Sequence, residues 1–313
     1  MELIAADIGG THARFAVATM TPRGIVLGPE TVLKTGDFAD LAGAWRTLGD
    51  MLERPLPRAA AIAIAGPVTG DVVRMTNNGW VLDRDRLSGE LGVDRLTLVN
   101  DFAAVAYAVP QAELRHLCGP ERALPDRGVV TVVGPGTGLG VAVLVRGPEG
   151  DRVIATEGGH IEFAPLDPQE QRLRDDLAAR FGRVSVERIL SGAGLGEIFR
   201  ATAGREPPQA AELWRLALTG AAPSAVSALA MFCRVLGSVA GDLALAQGGQ
   251  GVVIAGGLGL RLADYLPQSG FAERFAAKGR FRGLMEQVPV KLIMHPQPGL
   301  LGAAAAFAAE HGR

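Results

Sequence analysis

Apolar runs broken by a short glycine-containing turn mark the start of the chain. "ELIAAD" (2–7) reads as a strand, "IGGTH" (8–12) as a glycine turn and "ARFAVATM" (13–20) as a second strand. Two strand-like runs on either side of a short glycine-containing turn predict a β-hairpin. A third strand is expected within Ile25–Lys34. Leu41, Trp45, Leu48 and Leu52 then recur at helical spacing, which predicts a helix. "RAAAIAIAG" (58–66) and "RLTLV" (95–99) read as buried strands. Strands interleaved with helices indicate an α/β domain.

The pattern restarts further on. "GVVTVVGPGTGLGVAVLVRG" (128–147) is again strand, glycine turn and strand, an echo of the first hairpin. A mostly helical stretch is expected from Gln169 to Ala246. "GVVIAGGLGLRL" (251–262) returns to strand, glycine turn and helix, and "PVKLIMHPQPGLLGAAAAFAAEH" (289–311) closes with strand, proline-rich link and helix. This predicts two related α/β halves. The expected division is residues 1–109 with 300–313 as a smaller domain and residues 110–299 as a larger one, with the last helix returning to the first.

Composition narrows the class. Apolar residues make up 48% of the 313 and aromatics only 5%, so aliphatic side chains must fill the core. A formal net charge of −2, with no basic stripe, argues against a nucleic-acid partner. The two cysteines, Cys118 and Cys233, form no CxxC pair, a usage that fits a reducing compartment and no zinc site. The first residues, "MELIAADIGG", lack the basic flank of a secretion signal. No apolar run is expected to reach the roughly 20 residues that span a bilayer. The chain reads as a cytoplasmic protein with no membrane partner.

Three glycine-rich turns each follow an apolar strand: "DIGGT" (7–11), "GPGTGLG" (134–140) and "AGGLG" (255–259). Backbone N–H groups exposed in such turns can form an anion-binding concavity. Taken singly, each is equally an ordinary turn, because glycine adopts turn conformations at no steric cost. Neither a dinucleotide GxGxxG nor a Gly-Lys-Ser/Thr phosphate loop is present. Asp7 ends an apolar run. An unpaired buried carboxylate is costly, and near phosphates an Asp acts through Mg²⁺ and its waters. The alternative is an Asp that turns the chain by bonding the following backbone.

Polar residues at other strand ends carry two readings each. In "LTLVNDFAAVAYAVP" (96–110), Asn100 and Asp101 sit where a strand meets a helix. Both are favoured helix caps, and the carboxyl ends of strands are also where open α/β sheets place ligands. In "TEGGHIEFAP" (156–165), Glu157 and His160 flank two glycines, which are poor helix formers. A loop presenting an acceptor and an imidazole fits better than a metal-binding helix, with a structural surface His as the alternative. In "RVSVERILSG" (183–192), Ser185 reads as an N-cap and Glu187 as a first-turn acid. "TNNGW" (76–80) reads as a turn, and Trp45 and Trp214 as core.

In order along the chain, "DIGGTHAR", "MTNNGW", "LVNDFAAVA", "GPGTGLGVA", "TEGGHIEFAP", "RVSVERILSG", "IAGGLGLR", "SGFAERFAAKGRF" and "PQPGLLGAAAA" cover nearly all of it. Together they resemble the bacterial glucokinases, ATP-dependent glucose 6-kinases of the hexokinase and actin-like superfamily. The resemblance implies two ribonuclease-H-like (actin-like ATPase) α/β domains flanking a cleft, the second with added helices. It implies transfer of phosphate from ATP to glucose, the first step of glucose catabolism, with Mg²⁺, in a homodimer. Asn100 and Asp101 would bind glucose, with Asp101 as the base for the 6-hydroxyl. Glu157, His160 and Glu187 would bind other sugar hydroxyls. Ala6, Asp7, Ile8, Gly9, Gly10 and Thr11 would approach the ATP phosphates, as would Gly136, Thr137 and Gly138; Gly256 and Gly257 would lie near the nucleotide. His12 and Ala193 depart from the commoner Asn and Pro of the family, and neither change removes a required group. A kinase for another hexose and a non-catalytic actin-like sugar sensor are the alternative readings.

Overall fold

The computed structural model describes residues 1–312 except 67, 76 and 77. It divides into two compact units. One comprises Met1–Glu113, Glu149–Ala155 and the chain from His295 onward; the other comprises Leu114–Pro148 and Thr156–Met294.

The first unit carries strands β1 (Glu2–Ile8), β2 (His12–Thr21), β3 (Gly24–Leu27), β4 (Thr31–Lys34), β5 (Ala59–Ile64), β6 (Val72–Arg74), β7 (Val81–Asp83) and β8 (Arg95–Asn100). Its main sheet runs β3-β2-β1-β5-β8, with β4 also on β2. The β1–β2 hairpin is antiparallel, pairing Asp7 with Arg14, while β5 lies parallel to β1 and β8 parallel to β5. The single strand expected within 25–34 is two. β3 pairs with Ala18–Thr21 and β4 with His12–Phe15. Pro29 between them has no N–H to donate to a ladder.

Alternation assigns each face of this sheet. Ile4, Ala6, Ile8, Ala60, Ile62 and Ile64 pack with Leu41, Trp45 and Leu48 of the helix Leu41–Leu52. Leu3, Ala5, Ala59, Ala61 and Ala63 pack with Leu300, Ala303, Ala304 and Phe307 of the helix Pro298–His311. The side-chain period of two therefore sends Asp7 to the face covered by the C-terminal helix. Small residues let that helix approach closely: an ideal Cβ on Gly302 would lie 1.6 Å from the Ala104 carbonyl oxygen. The helix Asp101–Ala108 is thereby pinned against it.

The second unit carries β9 (Leu114–Cys118), β10 (Gly128–Pro135), β11 (Leu139–Arg146), β13 (Gly251–Ile254) and β14 (Val290–Ile293), while β12 (Arg152–Thr156) crosses the boundary between the units. Its sheet runs β11-β10-β13-β14-β9. β10 and β11 form an antiparallel hairpin and β13 lies parallel to β10, so the order of the first unit recurs.

The expectation that no apolar run could span a bilayer is corrected by one helix. Pro223–Gln247 is long and apolar enough to do so by length and composition. Its side chains are instead mostly buried, among them Leu229, Phe232, Val235 and Leu236, in one core with Ile198, Phe199, Leu213, Trp214 and Phe271. A helix apolar over most of its surface is what the centre of a large core requires.

Candidate active site

In the first unit the candidate polar side chains stand at the carboxyl ends of β1 and β8. At the end of β8 the cap is made by Asn100 rather than Asp101. The Asn100 Oδ1 accepts the N–H groups of Phe102 and Ala103 at 3.0 and 2.9 Å, and its Nδ2 donates to the Gly66 carbonyl at 3.0 Å. Asp101 is thus the first helical residue. Its Oδ1 accepts from Phe102 N at 2.8 Å and from Asn100 Nδ2 at 3.1 Å. Of the two readings of this dipeptide, the capping one belongs to Asn100.

Asp7 closes β1. Burial, and secondarily the Asp101 carboxylate, raise its pKa to about 6, against a lowering by Arg14. An ideal Cβ on Gly299 would lie 2.5 Å from Asp7 Oδ2, so the C-terminal helix begins directly against this carboxylate. Asp7, Arg14, Glu30, Gln297 and Gly299 line a cavity of about 340 Å³. The glycine turn follows, closed by Gly9 N–H to the His12 carbonyl at 2.9 Å. Ala6 is buried within β1, and Ile8 lies in the core beneath the turn. Sequence reasoning missed Thr35 and the specific role of Asn78, both of which bond this turn. Asn78 lies in a quoted motif, whereas Thr35 gave no signal. The expected turn at 76–80 begins on residues 76 and 77, outside the described residues.

In the second unit Glu157, His160 and Glu187 come together although 30 residues separate the first from the last. His160 Nε2 lies 3.9 Å from Glu157 Oε2 and 4.0 Å from Glu187 Oε1. Gly158–His160 is one 3-10 turn, which agrees with a loop rather than a metal-binding helix. The expected helix start at Ser185 is corrected: Val186–Arg188 is a single 3-10 turn, and the Ser185 side chain makes no cap bond. Residues 161–163 bond 184–186 through the backbone, which fixes the two segments side by side.

The 134–140 turn meets the same cluster. Glu187 Oε2 accepts Leu139 N–H at 3.0 Å. Gly136 N–H bonds the Gly138 carbonyl at 2.8 Å, and the Gly136 carbonyl accepts Gly192 N–H at 2.8 Å. Thr137 stands at the tip between these bonds. Gly256 packs on the Pro135 carbonyl, and with Gly257 it opens the short helix Gly256–Arg261 after β13. Two of the three glycine turns are thus adjacent in this unit. Among the described residues, no three or more His, Cys, Asp or Glu side chains are grouped to hold a metal ion. Burial pushes the thiols of Cys118 and Cys233 up to about 12, which leaves both unreactive as nucleophiles.

The family model described as Glucokinase matches residues 4–310. A relative named Glucokinase from Zymomonas mobilis is 55% identical, covering 98% of each chain. Another of that name from Aromatoleum aromaticum is 44% identical, over 96% of this chain and 93% of its own. Among solved structures, the glucokinase of an Antarctic psychrotroph superposes with a TM-score of 0.87 at 34% identity, covering 98% of both chains. The Balamuthia mandrillaris glucokinase, solved in complex with glucose, shares the fold at a TM-score of 0.80 and 22% identity. Two glycine-turn hairpins on repeated sheets, the carboxylates at their ends and a match over nearly the whole length agree: the chain belongs to the glucokinase family and has the actin-like ATPase fold.

Proposed function

We propose that this chain transfers the γ-phosphoryl group of ATP to the 6-hydroxyl of D-glucose, giving glucose 6-phosphate and ADP. The observation that carries the assignment of the base lies at the end of β8: Asn100 accepts the Phe102 and Ala103 N–H groups and Asp101 repeats only the Phe102 bond, so capping does not account for a carboxylate at Asp101. Phosphoryl transfer asks mainly for positioning and charge stabilisation. Asp101 accepts the 6-hydroxyl proton as the new bond to phosphorus forms, the role of a general base. Asn100, Glu157, His160 and Glu187 hydrogen-bond the other sugar hydroxyls. A site that pairs each hydroxyl rejects analogues lacking one, because its own polar groups are then left unpaired.

The turns at Gly9–Thr11 and Gly136–Gly138 receive the phosphates through backbone N–H groups, and Gly256 and Gly257 lie against the nucleotide. Mg²⁺ fits the first turn's donor chemistry: it takes oxygen ligands, keeps several waters and uses one or two carboxylates with substrate phosphates. Asp7, coupled to Asp101, supplies that charge. When bound, the ion offsets negative charge on the phosphate oxygens. The family resemblance further supports a cytosolic homodimer, which sedimentation tests.

A coupled assay of ADP release across a panel of hexoses tests the reading. Glucose is expected to be the preferred acceptor. Preference for mannose, fructose or an amino sugar would reassign the substrate, and glucose binding without turnover would favour a sensor.

A further inference from the structure

We infer that Thr35, assisted by Asn78, is a positioning residue for the phosphate-binding turn at Gly9–Thr11. The inference rests on the proposed role of that turn. Thr35 is 2% exposed, unusual for a hydroxyl residue. Its Oγ1 donates to the Gly10 carbonyl at 2.7 Å, and its backbone N–H donates to the Thr11 carbonyl at 3.1 Å. Asn78 Nδ2 donates to the Gly9 carbonyl at 3.4 Å. Asn78 is itself held, because its Oδ1 accepts Trp80 N–H at 3.0 Å and the Trp80 indole donates to the Phe38 carbonyl at 3.1 Å.

Three successive carbonyls of the turn are therefore taken by donors from two distant segments. Carbonyl oxygens repel phosphate oxygens, and backbone N–H groups attract them. Each peptide unit carries both groups on opposite sides. Fixing the carbonyls of Gly9, Gly10 and Thr11 on protein donors consequently fixes the direction of the next N–H groups, those of Gly10, Thr11 and His12. Two glycines make the turn soft, so without these bonds its peptide units are free to rotate. Thr35 also joins the turn to β4, which continues the sheet beyond β2. A buried hydroxyl that restrains a glycine turn is a device for preorganised anion binding rather than for sugar recognition.

The test compares Thr35→Val, Thr35→Ser, Asn78→Ala and the turn variant Thr11→Val in steady-state kinetics with MgATP and glucose varied in turn. Valine keeps the shape of threonine and removes the donor. Thr35→Val is expected to raise the KM for ATP so that kcat/KM for ATP falls about tenfold, the scale of one lost hydrogen bond to a buried carbonyl. The KM for glucose should stay within about twofold. Thr35→Ser should restore most of the loss, and Asn78→Ala should shift ATP parameters in the same direction, which decides the matter if Thr35→Val fails to fold. Parent-like ATP kinetics in Thr35→Val and Asn78→Ala beside an impaired Thr11→Val would overturn the inference and leave the phosphate reading standing. Parent-like ATP kinetics in all, Thr11→Val included, would overturn both. Equal loss toward ATP and glucose together with a lowered melting temperature would make Thr35 a stability residue and overturn the inference.

Discussion

Glu187 and Gly138 stand so close that no side chain fits between them. An ideal Cβ on Gly138 would lie 2.3 Å from Glu187 Oε2, the oxygen that accepts Leu139 N–H. The residue assigned to the sugar is thus held by the turn assigned to the nucleotide. Gly138→Ala must move the Glu187 carboxylate or the turn. It is expected to raise the KM for glucose as well as for ATP, although residue 138 belongs to the nucleotide turn. Isothermal titration with glucose alone checks this: unchanged glucose affinity would show that Glu187 does not reach the sugar through this contact.

Glu157, His160 and Glu187 form one polar cluster, so their removal tests the sugar assignment directly. Ala at Glu157 or Glu187 should weaken glucose binding by roughly 1.5–3 kcal/mol, the usual value of a hydrogen bond to a charged group, and Ala at His160 should weaken it measurably too. Glu187→Ala also strips the Leu139 N–H of its partner, so it should cost most in stability. A variant that melts earlier but binds glucose as the parent does would assign that residue to the fold alone.

The raised Asp7 carboxyl gives a pH dependence with a definite sign. Its folded value of about 6 stands above the ordinary 3.8, so between these values the folded state holds a proton that the unfolded chain has lost. Stability contributed at this position is present at low pH and declines as pH rises from about 4 to about 6. Asp7→Asn removes the titration. Its stability relative to the parent should therefore increase across that window and level off above it, by about 2–3 kcal/mol at neutral pH. Denaturant melts of both proteins at pH 4, 5, 6 and 7.5 measure the difference. A constant offset would mean that Asp7 ionises normally. Kinase activity should fall in the same variant.

Much of the fold was legible because its signals are local. Strands at 2–8, 12–21, 128–135 and 139–146 announce themselves as apolar runs on either side of glycine turns, and the helical spacing of Leu41, Trp45, Leu48 and Leu52 marks the helix Leu41–Leu52. The break between Leu27 and Thr31 was not legible. Pairing of two short strands with two ends of β2 depends on register, which no single segment encodes. The cap at Asn100 rather than Asp101 is a choice of one torsion between two good caps. Resemblance, not spacing, marked Glu187, since nothing local ties residue 187 to residues 157 and 160. Thr35 stayed silent for the same reason: its partner lies 25 residues away, and a lone threonine after a strand carries no pattern.

Gly302 sets the approach of the C-terminal helix to the helix that begins at Asp101. A Cβ there would overlap the Ala104 carbonyl, and the two helices make one packed pair at the back of the site. Gly302→Ala should destabilise by about 1–3 kcal/mol, the usual cost of overpacking, and should displace Asp101 with its helix. Thermal melting together with kcat checks both parts. A parent-like melting temperature would show that the helices separate without strain.

The most direct test of the account is single-turnover phosphorylation by Asp101→Asn at saturating glucose and MgATP. Asn100 already caps the helix, and asparagine replaces aspartate with little change of shape, so melting temperature and glucose affinity should hardly move. The substituted amide cannot take a proton, so the rate should fall by about 10²–10⁴-fold, the range for a lost general base. A rate within a few-fold of the parent would contradict the assignment and leave Asp101 as the first residue of a helix.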